Sequence, residues 1–490
     1  PPAYIPVPAK YQRSWLDHTW EDIPVFLWED LDAGAKIIGP ALIISKFTAI
    51  VLKKTWDLNI NIHNQAVVES RHVEQDTIRK NATQDHFDAS IQIELYTNRF
   101  ISLAEEMGAL LRRSSFSVNI KERVDYSCAL LDRDGELIVN APHIPDHLGG
   151  LGLCVRSIIE KFVIRPDQVF ITNHPGYGGS HLPDITLVAP VFDQNDELTG
   201  FVANRAHHAE LGGSRPGSMP PDATNLPEEG KVIAPFCLID QGQADWDRIT
   251  KILKSEPFPT RSIEENMADL TGSLASIQAG SEGLKKLCRT YGTSTIHYYM
   301  EHLKDYANQT LLKRLKKFKH RNLNAMERLD DGHKIMVKVS ISDHQMVFDF
   351  AGSSGTHPGN MNATPAIVRS AVLYVLRFLV DEDIPLNEGL IRSVEIKLPT
   401  GFLNPDLYDD LNKCHAVVGG NTETSQRLVD TLLKSFNISA CSQGTMNNFL
   451  FGNSNFSYYE TIGGGVGATD GHHGASAVHQ HMTNTRITDP

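Results

Sequence analysis

Glu122, Asp125, His143, Asp146, His147, His174, His181, Asp184, His207 and His208 crowd between positions 122 and 208. Most fall in three loops, each following a predicted strand. These read Ala141-Pro-His-Ile-Pro-Asp-His-Leu-Gly149, Asn173-His-Pro-Gly-Tyr-Gly-Gly-Ser-His-Leu-Pro-Asp184 and Ala206-His-His-Ala-Glu-Leu-Gly-Gly213. In the second, Gly176, Gly178 and Gly179 allow the tight backbone that gathers His174, His181 and Asp184. His181 and Asp184 are three apart, on one side of a turn-like segment. A neutral imidazole and a carboxylate facing the same way make half of a divalent-metal site. Two such imidazoles with two carboxylates suit Mn²⁺, Fe²⁺ or Zn²⁺, and a set without thiolates disfavours a purely structural zinc. A metal so held polarises a carbonyl or lowers the pKa of its water to about 7. The competing reading is a set of separate polar turns whose histidines bond to backbone; three clusters in one short interval weigh against it. His207 and His208 are adjacent, so on an extended chain at most one of them faces a common site.

Other chemistries find little support. There is no GxxxxGK[ST], and the Gly463–Ala468 run lacks the strand and helix that a nucleotide-binding turn needs. No GxSxG elbow is present, and the six cysteines show no CxxC pairing, which points to reduced cytosolic thiols. A net charge of −13 over 490 residues argues against nucleic acid. The apolar runs 41–52 and 371–380 are short and interrupted by Lys46 and Arg377, so no membrane span is expected. No signal peptide is read at the N-terminus, and a cytoplasmic location is expected. The Pro-Pro start without Met suggests a piece of a longer polypeptide.

The elements that must position these loops can be read in order. Residues 1–70 show short strands and turns; 71–88 are charged and form a linker. Helical spacing runs from 89 to 113, followed by an exit loop at 114–119. Strands are expected at 127–131 and 136–139 around Asp134-Gly135, a hairpin turn, then a helix at 152–162. Strands at 169–171, 185–188 and 200–203 flank the second and third loops, and 214–230 is an ordered loop or lid. Residues 262–320 form a helical block whose Met/Leu stripe is core, and whose basic end, 313–321, is a solvated helix terminus. Strands at 335–342 and 346–350, a buried helix at 364–381 and another at 424–436 follow. The expected fold is α+β: a mixed, multi-layer arrangement with a helical middle block and Gly-rich loops.

The three loops, with Ala104-Glu-Glu-Met-Gly108 and Asn119-Ile-Lys-Glu-Arg123, resemble the hydantoinase B/oxoprolinase family. The end, His481-Met-Thr-Asn-Thr-Arg-Ile-Thr-Asp-Pro490, looks like its ATP-dependent oxoprolinase branch, in which hydantoinase A-like and B-like halves are fused. His174 agrees with that branch; carboxylase and hydantoinase relatives usually carry Asp there. The resemblance makes 1–70 the tail of the A-like ATPase half and 89–490 a C-terminally incomplete B-like domain. It implies a hydrolase of cyclic amides that turns 5-oxo-L-proline, ATP and water into L-glutamate, ADP and phosphate through a phosphorylated lactam, as in glutathione metabolism. It implies ATP with Mg²⁺ on the absent A-like half, Mn²⁺ or Zn²⁺ on Glu122, His181, Asp184 and His207, and His143, His147 and His174 moving protons. Arg123 or Arg486 would pair with the substrate carboxylate beside His208, an ordinary ion pair being the alternative for each arginine. Implied partners are the small lactam, the ATPase half and further copies of the chain. The rival readings are a metal subunit of an acetone or acetophenone carboxylase-like or hydantoinase enzyme, and a non-catalytic partner of an ATPase.

Overall fold

The computed structural model describes residues 2–16, 19–46, 48–71, 86–141, 144–318, 323–380, 384, 386–408, 410–452 and 457–482. It falls into two compact units, Pro1–Ser90 and Ile91–Pro490. The first is built mainly of strands: β1 (Lys10–Leu16), β2 (Thr19–Leu27), β3 (Lys36–Ile38), β4 (Ala41–Ile44), β5 (Ala49–Leu52), β6 (Trp56–Ile60) and β7 (Ala66–Ser70). They form sheets ordered β1-β2-β4-β5 and β3-β6-β7. Alternation does the work: Ala41 and Ile43 turn inward with Ile37, Leu52 and Leu58 to make one small core.

The second unit starts with α1 (His86–Ser114) and α2 (Val118–Lys121), a helical turn where an exit loop is read from the sequence. Then come β8 (Tyr126–Asp132), β9 (Leu137–Ala141), α3 (Gly150–Lys161), β10 (Val169–Thr172), β11 (Asp184–Phe192) and β12 (Leu198–His207). After them lie α4 (Leu226–Glu229), β13 (Phe236–Asp240), β14 (Gln243–Ala244), α5 (Trp246–Leu253), α6 (Ile263–Tyr291) and α7 (Thr293–Leu315). The strands make a seven-stranded sheet, β14-β13-β10-β11-β12-β8-β9, with antiparallel neighbours throughout. Both faces are covered, so β8 is buried along its whole length. Its residues alternate between two cores. Ala129 and Leu131 join Phe201, Ala203 and Val188 beside α3; Cys128 and Leu130 join Val202 beside α1 and α6. The same alternation places Asp125 and Ser127, Arg205 and His207, and Asp184 and Thr186 on the α3 face.

The remainder closes that face. Strands β15 (Leu323–Arg328), β16 (Lys334–Ile341), β17 (Met346–Asp349) and β18 (Val394–Lys397) form a four-stranded sheet, against which α8 (Pro365–Leu379) and α9 (Ser425–Phe436) pack. Thr364 caps α8 by accepting from the Ile367 N–H, with Pro365 in the first turn, which is why the apolar run 366–379 is helical. A single π-helical turn, Gly420–Thr424, leads into α9. A hairpin of β19 (Asn447–Gly452) and β20 (Ser457–Ile462) comes last. The stretch 214–230 ends in α4, whose Leu226 and Glu229 are fully buried. Among the described residues no helix is long and apolar enough to cross a membrane. The architecture is α+β, with several separate sheets.

Candidate metal centre

One end of the seven-stranded sheet carries the loops. Asp184 opens β11 and His207 closes β12, and the two sit directly opposite each other in the ladder. The ladder continues into β8, where the His207 N–H donates to the Asp125 carbonyl at 3.0 Å. His181 precedes Asp184 in a turn closed by the Asp184 N–H on the His181 carbonyl, 3.2 Å. His181 Nε2, Asp184 Oδ1 and His207 Nδ1 thereby form a triangle with all three edges 3.2 Å. Bonds of about 2.0–2.2 Å to a divalent ion put neighbouring ligand atoms roughly 3.0–3.5 Å apart. The triangle fits one.

Its surroundings fit too. Asp184 is 1% exposed, and its Oδ1 makes no hydrogen bond among the described residues. The other oxygen, Oδ2, accepts from the Ser180 hydroxyl and lies 3.4 Å from His147 Nε2. His147 Nδ1 in turn meets Ser127 Oγ at 3.0 Å. The carboxylate is thus held by one oxygen and open at the other. Burial disfavours its charge, but the imidazoles of His181 and His147 outweigh burial and hold it well below the usual carboxylate range. Burial likewise opposes charge on His207, yet Asp184 and Asp125 raise its pKa above the usual histidine value. Asp125 Oδ2 lies 3.9 Å from His207 Nδ1 and is the next carboxylate in reach.

Glu122 is placed otherwise. It caps α2 in an exposed position, outside the group of candidate ligand atoms that meet within 4.8 Å. His174 is buried, but its Nδ1 accepts from the Gly176 N–H at 3.0 Å and so caps a turn. Burial, aided by the Lys161 ammonium, lowers its pKa to about 4, leaving it neutral at pH 7. His208 faces away from the triangle, its Nδ1 2.9 Å from Asn266 Oδ1 on α6. Arg123 is buried and donates to Thr461 Oγ1 at 3.1 Å. His143 and Arg486 lie outside the described residues.

Two further neighbours stand beside the triangle, Asp146 from the candidate list and Asn421, which the sequence reading missed. Asp146, 0% exposed, is raised well above the carboxylate range by burial and by the charges of Asp184 and Asp125. Asn421, on the π-helical turn, donates to its Oδ2 at 3.1 Å. Asp146 sits inside the His-Ile-Pro-Asp-His motif and its type is visible there. Asn421 is 275 positions away, with only the Gly419-Gly420 pair to mark a close backbone approach.

A sequence model of the hydantoinase B/oxoprolinase family matches residues 89–490. Among curated proteins, 5-oxoprolinase 1 of Arabidopsis thaliana is 40% identical over 99% of this chain and 40% of its own length. The 5-oxoprolinase of Saccharomyces cerevisiae is 39% identical over 93% of this chain and 37% of its own. An uncharacterized protein of Methanocaldococcus jannaschii is 35% identical over 77% of this chain and 68% of its own. The chain therefore spans about two fifths of the length of these 5-oxoprolinases. In solved structures, the ATP-dependent caprolactamase of Pseudomonas jessenii superposes with a TM-score of 0.68 at 24% identity, covering 79% of this chain and 69% of that one. A nucleotide-free acetone carboxylase gives 0.66 at 16%, covering 82% and 57%. These two likenesses carry the fold alone.

Proposed function

This chain belongs to the hydantoinase B/oxoprolinase family, and we propose that it is the ring-opening part of an ATP-dependent 5-oxoprolinase. In this reading a hydantoinase A-like half binds ATP with Mg²⁺ and phosphorylates the lactam oxygen of 5-oxo-L-proline. The present part then completes hydrolysis to L-glutamate and phosphate. The observation that carries it is the buried 3.2 Å triangle of His181, Asp184 and His207. The identity to 5-oxoprolinases across nearly the whole chain supports the substrate class.

His181 Nε2, Asp184 Oδ1 and His207 Nδ1 would hold a divalent cation, with Asp125 taking the fourth position in preference to Glu122. Such a cation would supply Lewis acidity and lower the pKa of a bound water to about 7. The chain's own groups do the rest. Ser180 holds Asp184 Oδ2, which turns Oδ1 toward the two imidazoles. His147 meets Ser127 Oγ through Nδ1, and its Nε2, 3.4 Å from Asp184 Oδ2 and without a hydrogen bond among the described residues, would take a proton from the attacking water and pass it to the leaving nitrogen. His174, fixed as a turn cap, has no part in that transfer. Burial of every member excludes bulk water, which strengthens each of these interactions.

The full-length polypeptide, given ATP, is expected to turn over 5-oxoproline in preference to hydantoin or small ketones, and to purify with stoichiometric Mn, Zn or Fe. Turnover only of a ketone with bicarbonate would replace this reading with a carboxylase. Protein without bound metal and without turnover would make the chain a scaffold for its ATPase half.

A further inference from the structure

We propose that Arg205 is the positioning residue of this centre: a single buried guanidinium that locks together the three segments bearing the ligands. The inference rests on the metal-centre reading above. Arg205 is 0% exposed. Its Nε donates to Thr186 Oγ1 at 2.8 Å and its Nη2 to the Gly178 carbonyl at 2.7 Å. The placement of those partners gives the bonds their meaning. Arg205 stands two residues before His207 on β12. Thr186 stands two residues after Asp184 on β11, directly across the ladder. Gly178 stands three residues before His181 in the glycine-rich loop. Each ligand is thus tied, within one turn or one strand repeat, to the same rigid plane.

The glycines of the motif make room for it. A Cβ on Gly150 would lie 2.5 Å from Arg205 Nη1, and one on Gly178, where φ is +82°, would lie 2.5 Å from the Cys154 nitrogen. The loop therefore sits against the start of α3 with its carbonyl facing the guanidinium. No carboxylate of the described residues pairs with Arg205, and its Nη1 has no hydrogen-bond partner among them. A buried cation so sparingly satisfied is costly. Burial lowers its pKa, while the charge of Asp184 supports it. A lysine does not replace it, because an ammonium lacks the planar fork that reaches Thr186 and Gly178 at once.

The test uses the metal-free, full-length enzyme titrated with Co²⁺ and followed by its visible spectrum. Wild type is expected to bind one equivalent tightly. Arg205→Gln and Arg205→Lys are expected to bind about 10–100-fold more weakly, the range seen when outer partners of metal ligands are removed. Their Co²⁺ bands should shift, which a general loss of stability would not cause. Lys304→Met, which removes an equally buried cation at the other end of β8, should leave Co²⁺ affinity unchanged. Should the Arg205 variants fail to fold, Thr186→Val decides: it deletes one bond, keeps the charge, and should weaken Co²⁺ in the same direction. Folded variants with wild-type affinity and spectrum would overturn the role of Arg205. Wild type that takes up no Co²⁺ would instead overturn the metal-centre reading itself.

Discussion

The two ends of strand β8 both gather carboxylates, and they answer the charge in opposite ways. At the far end Lys304 of α7, 2% exposed, puts its Nζ among Asp132, Glu136 and Glu301, bonding all three. Arg392 completes the cluster, reaching Glu136 at 3.2 Å, Glu301 at 2.8 Å and Asp305 at 2.7 Å. The ammonium occupies the place a metal would take. At the near end Asp184 meets imidazole nitrogens instead, and a neutral imidazole offers a lone pair where an ammonium offers protons. The difference separates a network closed by the chain itself from one that, in the proposed function, an outside cation closes. A third cluster sharpens the distinction. Asp331 Oδ2 lies 2.8 Å from His333 Nδ1 and 2.7 Å from His357 Nε2. His357 Nδ1 accepts from the Gly359 N–H, so its Nε2 carries the proton and donates to Asp331. That carboxylate is satisfied by N–H donors.

The largest effect is expected where the chain supplies no cation. His181→Ala and Asp184→Ala should each remove the metal and lower ATP-coupled turnover by more than the roughly 100-fold that outer partners of a ligand cost. The fold should survive, since neither side chain belongs to the apolar clusters on the two faces of the sheet; circular dichroism with elemental analysis checks both halves of the statement. Full metal content in either variant would break the contrast between the two ends. At the closed end, Lys304→Met should leave metal content intact but cost about 3 kcal/mol of stability, because it takes the cation from the buried Asp132 carboxylate, while Glu136 and Glu301 keep Arg392. Denaturant unfolding of the loaded protein measures it.

Glu229 shows a third answer to the same problem. Its Oε1 accepts from the Val417 and Val418 N–H groups, each at 2.8 Å, and no cation pairs with it among the described residues. Burial pushes its pKa up to about 8, so it keeps its proton. The sign follows. Between its ordinary value of about 4.5 and the folded value of about 8, the native state holds a proton that the unfolded chain has lost. Stability therefore falls as pH rises through that window, by roughly 1.4 kcal/mol per unit. Glu229→Gln keeps the accepting oxygen and should flatten that slope, with a higher melting temperature at pH 8 than the parent. A parallel slope in the variant would mean that Glu229 is paired in solution.

Much of this was legible in sequence because the sheet is local in its logic. Short apolar runs between turn residues gave five of the seven strands of the large sheet, with β13 and β14 missed; Asp134-Gly135 marked a turn, and the three-residue spacing of His181 and Asp184 anticipated their shared direction. What escaped reading depended on register. Asp125 and Glu122 look equivalent as letters, and only the continuation of the β8 ladder past Tyr126 turns Asp125 toward His207. Arg205 lies just past the strand read at 200–203, and nothing local says that it crosses to Thr186 and Gly178. Asn421 arrives from a π-helical turn, a geometry without a periodic signature.

The smallest expected effect concerns His174, and it tests whether position in the motif or hydrogen bonding decides a role. Its Nδ1 is engaged by Gly176, as His357 is engaged by Gly359 in a second His-Pro-Gly sequence that lies in the closed Asp331 cluster. The same backbone device therefore serves both inside and outside the candidate centre. An asparagine oxygen can accept that N–H as well, so His174→Asn should keep turnover at pH 7 within a few-fold of the parent, whereas His147→Ala should not. The acid limb should change instead. The folded pKa of about 4 lies below the ordinary 6.5, so stability is lost as pH falls from 6.5 toward 4. The asparagine variant lacks that titration and should resist acid better. If it loses turnover as steeply as the His147 variant while still folding, then His174 moves protons after all, and the turn-cap geometry understates its part in the chemistry.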